Sequence, residues 1–152
     1  MIVGAAESRE AVRGVFSDGP AVHFGPEAQR FGMDKPLPDD QQAAREQLQF
    51  EAHCEAMPLD LMGGMVDLQR YRDAKFAAAA LRALEAFGPP VAVIAGNGHA
   101  RTDWGVPAAI RLAAPDVSVH AVGFVEGSAH APFDEVHIVP PVDRGAPCEA
   151  FK

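Results

Sequence analysis

Long hydrophobic runs are missing from this sequence, and no stretch approaches the roughly 18 consecutive apolar residues that a membrane-spanning helix needs. The amino terminus, "MIVGAAESRE", has neither the basic segment nor the long apolar segment of a secretory signal peptide. Hydrophobic residues still make up 48% of the chain and charged residues only 22%, which excludes a disordered or coiled-coil protein. The 152 residues are therefore predicted to form a single soluble domain, residues 1–152, with no membrane-spanning segment.

Positive charge is also scarce in the chain. Its 13 lysines and arginines are outnumbered by 21 aspartates and glutamates, which gives a formal net charge of -8. Such a chain repels nucleic-acid phosphates, and its arginines are scattered among acidic residues instead of forming a basic stripe. We therefore expect no nucleic-acid partner.

Several short motifs with a known chemistry are absent. The cysteines, Cys54 and Cys148, have no CxxC spacing, so neither a zinc site nor a disulfide follows from the sequence and the redox compartment stays undecided. No HxH, HExxH or HxxxH spacing supports a locally encoded metal site. Nucleotide binding is disfavoured, because there is neither a GxxxxGK-type phosphate loop nor a completed GxGxxG motif.

Helices are predicted where a capping residue precedes an apolar periodic run and a glycine or proline follows it. The predicted helices are "ESREAVRGVF" with Ser8 as its N-cap, a short helix near residues 26–30 within a loop over 17–38, a helix from Asp39 or Asp40 that stops before Pro58, the longest helix over 64–87, and a helix over 106–113.

Apolar runs predict the strands. They are "MIVGAA", "PVAVIA", "VSVHAVGFV" and "FDEVHIV", and residues 140–152 are predicted to form an irregular tail. The continuous run "PVAVIA" is typical of a strand that is covered on both faces. Helices that alternate with such strands indicate an α/β fold, a three-layer α/β/α sandwich with an incomplete sheet of about four strands. We expect another copy of the chain to cover the unfinished sheet edge, which makes a homo-oligomer.

The loop over residues 96–105, "GNGHARTDWG", follows the predicted strand "PVAVIA". Ligands in open α/β sheets lie beyond the carboxyl ends of the strands, so this position favours a binding site. His99 would serve as base, ligand or donor, while Arg101 binds a carboxylate and Asp103 orients the imidazole. The alternative is a tight turn in which Asn97, His99 and Asp103 satisfy backbone groups and cap the next helix.

The helix over 64–87 supplies independent evidence when its residues are placed at ~100° intervals on a wheel. The residues on the predicted solvent side are Asp67, Lys75, Arg82 and Glu85, with Tyr71, and those on the predicted core side are Met65, Phe76, Ala80, Ala83 and Phe87. Gln69, Arg72 and Asp73 interrupt the apolar side. Since a buried charge costs several kcal/mol unless it is paired or binds a ligand, these three either form an internal network or line the same pocket as His99.

Several strings of the sequence resemble the carboxyl-terminal half of the ChaN-like family, bacterial proteins associated with haem binding and iron uptake. They are "HCEAMP", "GGMVDLQRYRDAKFAAAAL", "VAVIAGNGHARTDWGVP", "VSVHAVGFVE" and "DRGAPC". The resemblance implies a three-layer fold, a cell-envelope or periplasmic location, and kinship with Tiki-type metalloproteases and erythromycin-esterase-like hydrolases. The earlier half of the family, with its glycine-glutamate and histidine-rich motif, is not found, so we expect the chain to begin midway through the family fold.

The resemblance predicts a haem-binding or iron-uptake protein whose pocket lies between helix 64–87 and loop 96–105. The predicted ligand-binding residues are Gln69, Arg72, Asp73, Asn97, His99, Arg101 and Asp103, and Arg70 also occupies a motif position. Arg72 or Arg101 would bind the propionates, and His99, His53 and Tyr71 are the candidate iron ligands. Two alternatives are a hydrolase, in which His99 acts with Asp73 or Asp103, and a non-catalytic assembly subunit. Whether the protein is an enzyme is left open.

Overall fold

The computed structural model describes residues 8–127, 132–146 and 148–149. The predicted strand "MIVGAA" and His130 lie outside the described residues. The described chain forms two compact units, which are considered separately. Residues 30–32 and 72–141 belong to what we call the His99 unit, and residues 8–29, 33–71 and those from 142 onward belong to the disulfide unit.

The disulfide unit is helical in its described part. Its elements are α1 (Arg9–Asp18), α2 (Pro20–Phe24), α3 (Asp39–Ala52), the 3-10 turn Leu59–Leu61 and the first turns of α4 (Met62–Phe87), while a further 3-10 turn spans Ala28–Phe31. The predicted N-cap of α1 is confirmed, because the Ser8 hydroxyl accepts a hydrogen bond of 3.0 Å from the Ala11 amide. Helix α2 lies in the region predicted to be mostly loop; Pro20 at its first position favours a helical start.

Tyr71 is a buried residue of the disulfide unit. It packs with Val15 and Leu68 in one apolar cluster, where its exposed fraction is only 2%. Phe24 meets its ring edge-on, with the ring centroids 5.9 Å apart. The expectation that Tyr71 lies on the solvent side of the long helix is therefore wrong.

Tyr71 is not the only residue of α4 whose burial differs from the prediction. Asp73 is buried as expected, but Phe87, expected on the core side, is 60% exposed. The buried residues of the helix are Met62, Val66, Leu68, Arg70, Tyr71, Asp73, Ala74, Ala77 and Ala78. The buried stripe is displaced from the predicted one by about one residue, or roughly 100°. A helix with many alanines has a weak apolar preference, so its packing partners decide which face is covered.

A disulfide joins Cys54 to Cys148 within the disulfide unit, with 5.3 Å between the Cα atoms. Cys54 follows the end of α3 and has a positive φ of 60°, so it lies in the sharp turn after that helix. The two cysteines are 94 residues apart in sequence. Local sequence patterns do not indicate contacts between residues so far apart in the chain, so this bond does not follow from the sequence.

The His99 unit contains the later part of α4, the helices α5 (Asn97–Ala100) and α6 (Val106–Ala113), and the strands β1 (Val122–Glu126) and β2 (Glu135–Val139). The strands pair in parallel, with Phe124 opposite His137. The predicted helix over 106–113 and the two later strands are confirmed, the first strand being shorter than its apolar run. The chain is thus a mixed helical and sheet protein. Residues 140–146 contain neither helix nor strand.

The apolar run "PVAVIA" does not form the predicted strand. Ile94 is 98% exposed and Val93 is 44% exposed, and in the described part of the chain the sheet joins only β1 and β2. The expected burial on both faces is therefore wrong, and the described sheet has two strands where about four were expected. A run of apolar residues favours burial, but a strand also needs a neighbouring backbone to pair with.

Asp134 fixes the chain just before β2. Its carboxylate accepts a hydrogen bond of 2.8 Å from the Ala121 amide and lies 3.3 Å from the guanidinium of Arg111. The hydrogen bond from Ala121 and the charge of Arg111 lower the pKa of Asp134 below its ordinary value. This carboxylate therefore stabilises the fold above the pKa of the unfolded side chain, and the contribution is lost as the pH falls through the folded pKa.

Asp134→Asn is expected to lower the urea midpoint of unfolding near neutral pH. The difference from the parent protein should shrink as the pH falls below about 4, where carboxyl groups become protonated in both states. Urea unfolding of the two proteins across a pH series measures this. Asp116→Asn, which removes the same charge at an exposed position, is the control. A difference that stays constant down to low pH would contradict the assignment.

Candidate functional site

The His99 imidazole is held by a buried carboxylate. Its Nδ1 lies 2.6 Å from Oδ1 of Asp73, whose side chain is only 3% exposed, whereas the histidine side chain is 23% exposed. With Asp73 ionised, Nδ1–H donates and the carboxylate accepts, which leaves the lone pair on Nε2. Within residues 8–127, 132–146 and 148–149, no hydrogen bond to Nε2 is present. The ring thus presents one basic nitrogen in a fixed orientation.

Helix α4 also supplies the second contact that orients this ring. Phe76 meets the imidazole edge-on, with the centroids 5.5 Å apart and the planes at 76°. Asp73 and Phe76 are three residues apart on a helix and therefore lie on the same face. One rigid element thus sets both the tautomer and the plane of His99. The sequence indicates only a core position for Phe76, because no motif marks a ring-to-ring contact.

Arg101 contacts both Asp103 and Trp104. The guanidinium donates two hydrogen bonds to the Asp103 carboxylate, of 2.6 and 2.7 Å, and lies 3.5 Å from the centroid of the indole ring. Arg101 is only 9% exposed. Asp103 therefore binds Arg101, and it is Asp73 that binds His99. No sequence motif marks Trp104 as part of the site, although its position three residues after Arg101 permits such a stack.

Asn97 connects the loop to the sheet. Its side-chain amide donates a hydrogen bond of 2.9 Å to the backbone oxygen of Phe124 in β1. Asn97 is also the first residue of α5, the short helix that carries His99. Asn97 thus anchors the segment that presents the imidazole, and its part in ligand binding stays a prediction.

The three polar residues predicted to line the pocket have different surroundings. Asp73 binds His99, as described, and Arg72 is exposed one helical turn before Phe76 in the same unit. Gln69 belongs to the disulfide unit, where it accepts a hydrogen bond of 2.6 Å from Gln49. Arg70, in the same unit, is buried and donates a hydrogen bond of 2.7 Å to the backbone oxygen of Lys35.

The other candidate iron ligands, His53 and Tyr71, both lie in the disulfide unit. His53 Nδ1 lies 2.8 Å from the backbone oxygen of Gln49, so this ring also has its Nδ1 engaged. Tyr71 is in the apolar cluster with Val15, and a ligand would reach it only if that cluster opened.

Two further properties bear on the chemistry. In the part of the chain that the structure describes, no three His, Cys, Asp or Glu side chains come together in a way that would hold a metal ion. Of the helices described, none combines the length and apolar character that crossing a membrane requires.

The chain is thus a mixed α and β protein in which the buried carboxylate of Asp73 binds the partly exposed imidazole of His99. A family model described as haem-binding uptake, Tiki superfamily, ChaN matches residues 1–110, and the chain belongs to this family. The match covers the amino-terminal part of the chain, and the expectation of a likeness to the carboxyl-terminal half of the family does not agree with it. No curated protein and no solved structure matches the chain.

Proposed function

We propose that the protein binds haem in an uptake process and that His99 Nε2 would bind its iron. The observation that carries the proposal is the hydrogen bond of 2.6 Å between His99 Nδ1 and Asp73. Histidines that bind metals almost always donate their other ring N–H to a carboxylate, a carbonyl or water, which fixes the tautomer and raises the basicity of the ligating nitrogen. The residues present therefore fit a haem iron, which imidazole nitrogen commonly ligates.

We assign the remaining parts of a haem to other side chains of the same unit. Arg72 is exposed and lies on the same side of α4 as Phe76, so its guanidinium is the cation we assign to a propionate. Arg101 is paired with Asp103 and supports the loop instead. Val93 and Ile94, exposed just before Gly96, are the apolar residues that we assign to the porphyrin, in the pocket proposed between α4 and loop 96–105.

The disulfide and the small sheet suggest the setting of this activity. Disulfides persist in oxidising compartments, so Cys54–Cys148 supports a cell-envelope or periplasmic location. Parallel sheets are normally covered on both faces, yet Val136 and Ile138 of β2 are 40% and 70% exposed. We therefore propose that the sheet is part of a three-layer sandwich completed in a homo-oligomer. Light scattering on the purified protein measures this, and a monomer would contradict it.

Titration with hemin tests the proposed function. We expect a saturable shift of the Soret band in the parent protein and a loss of that shift in His99→Ala, because the variant lacks the imidazole that we assign to the iron. His53→Ala, which removes a histidine from the other unit, is the matched control and should bind like the parent. Equal binding by His99→Ala and the parent, or no saturable shift in the parent, would overturn the proposal.

A hydrolase is the second candidate, and the same His99–Asp73 pair favours it. An imidazole oriented by a carboxylate is the arrangement of a general base that removes a proton from water or from a hydroxyl group. Ester and peptide substrates, tested with the parent protein and His99→Ala, distinguish the two functions. Turnover that depends on His99, in protein that gives no Soret shift, would support the hydrolase over haem binding.

A further inference from the structure

Gly105 is packed against the backbone of the loop that carries His99. A Cβ atom on Gly105 would overlap the carbonyl oxygen of His99 and would lie 2.7 Å from that of Arg101. Both obstacles are backbone atoms, which a small side-chain rotation does not relieve. The φ of Gly105 is -86°, a value that any residue adopts. The position therefore requires glycine because of space and not because of backbone conformation.

Gly105 also forms a hydrogen bond within the loop and is the residue just before the next helix. Its amide donates a hydrogen bond of 3.2 Å to the Arg101 carbonyl oxygen, and the residue is the N-cap of α6. The carbonyl of His99 thus rests against the start of a helix whose buried residues Val106 and Ile110 fix it in the unit. A Cβ on Gly105 would overlap the backbone of His99, so that backbone would have to shift to accept it.

A second anchor lies on the other side of His99. The hydrogen bond from the Asn97 side chain to the Phe124 carbonyl oxygen holds the start of α5 on β1. The imidazole must reach Asp73 from a backbone fixed at both ends. Because a hydrogen bond weakens steeply once its distance and angle leave the favourable range, a shift of this backbone would weaken the contact of 2.6 Å between Nδ1 and Oδ1.

We infer that Gly105 and Asn97 are positioning residues, which hold the backbone of His99 where its Nδ1 meets Asp73. The role in ligand binding rests on the proposed function. The alignment of His99 with Asp73, however, is a property of the protein without ligand, and it is measurable even if haem is not what the site binds. Neither residue needs to touch a ligand for this role.

The test compares two glycine-to-alanine changes in the same loop. Gly105→Ala introduces the overlap with His99, whereas Gly96→Ala is the matched control, since a Cβ on Gly96 meets no atom within 4 Å and its φ is -64°. NMR of the protein without ligand reports the Nδ1–H proton of His99. We expect Gly105→Ala to lose this hydrogen-bonded signal and to bind hemin about 10–100-fold more weakly, and Gly96→Ala to keep both properties.

Asn97→Ala is the second variant, and it decides the question if Gly105→Ala does not fold. Asn97 is exposed, so its removal leaves no buried void, and we expect a weaker His99 Nδ1–H signal with the fold retained. A parent-like signal in a folded Gly105→Ala protein, or in Asn97→Ala, would overturn the inference. Loss of the signal in proteins whose parent binds no hemin would uphold the positioning role and refute only the proposed function.

Discussion

Asp73→Asn is expected to weaken hemin binding by about 10–100-fold, the usual effect of removing the partner of a metal-ligating histidine. The carboxylate accepts a hydrogen bond from Nδ1–H at 2.6 Å, whereas an amide in its place can turn its NH2 group toward that nitrogen. The imidazole would then carry its proton on Nε2 and lose the lone pair that binds iron. Hemin titration measures the affinity, and NMR of the imidazole nitrogens reports the tautomer.

The control for Asp73→Asn is Glu85→Gln, which removes a charge at an exposed position of the same helix. It should bind hemin like the parent. Asp103→Asn makes a second comparison, because that carboxylate binds Arg101 and not His99, so the tautomer should stay unchanged. If Asp73→Asn and Glu85→Gln bound equally well, Asp73 would have no part in preparing the histidine.

Cys148→Ser is expected to lower the free energy of unfolding by about 2–4 kcal/mol, the typical contribution of a native disulfide. The bond closes a long segment, because Cys54 and Cys148 are 94 residues apart, and it restricts the unfolded chain correspondingly. Urea unfolding of the parent and the variant, at equal pH and temperature, measures the difference.

A reducing agent provides the control for the disulfide prediction. It should shift the unfolding midpoint of the parent toward that of Cys148→Ser and leave the variant unchanged. Cys54→Ser should behave like Cys148→Ser, since either change removes the same bond. Identical midpoints for the oxidised and reduced parent would show that the bond contributes nothing to stability.

Local signals in the sequence predicted several elements of the fold. The Ser8 cap, the proline at the first turn of helix 106–113 and the glycine after Phe87 each mark a helix end through groups within a few residues. Strand β2 follows from its short apolar segment and the turn residues before it. These interactions join residues that are close in sequence, so they can be predicted from the sequence alone.

Other features depend on groups that are distant in sequence. The buried face of α4, and with it Tyr71, is set by the side chains that pack against the helix. The run "PVAVIA" has the composition of a buried strand, yet pairing requires a neighbouring strand that composition does not specify. The bond between Cys54 and Cys148 likewise exists only because the folded chain brings its atoms together.

The sequence by itself determined that the chain is a mixed α and β protein, and it predicted Asp73 and His99 as candidates for one site. It offered two carboxylates, Asp73 and Asp103, that are chemically equal as partners for the imidazole. Only the tertiary structure decided between them, because α4 places Asp73 at 2.6 Å from Nδ1 while the guanidinium of Arg101 occupies Asp103. A hydrogen bond depends on distance and direction, and neither quantity exists until the backbone is folded.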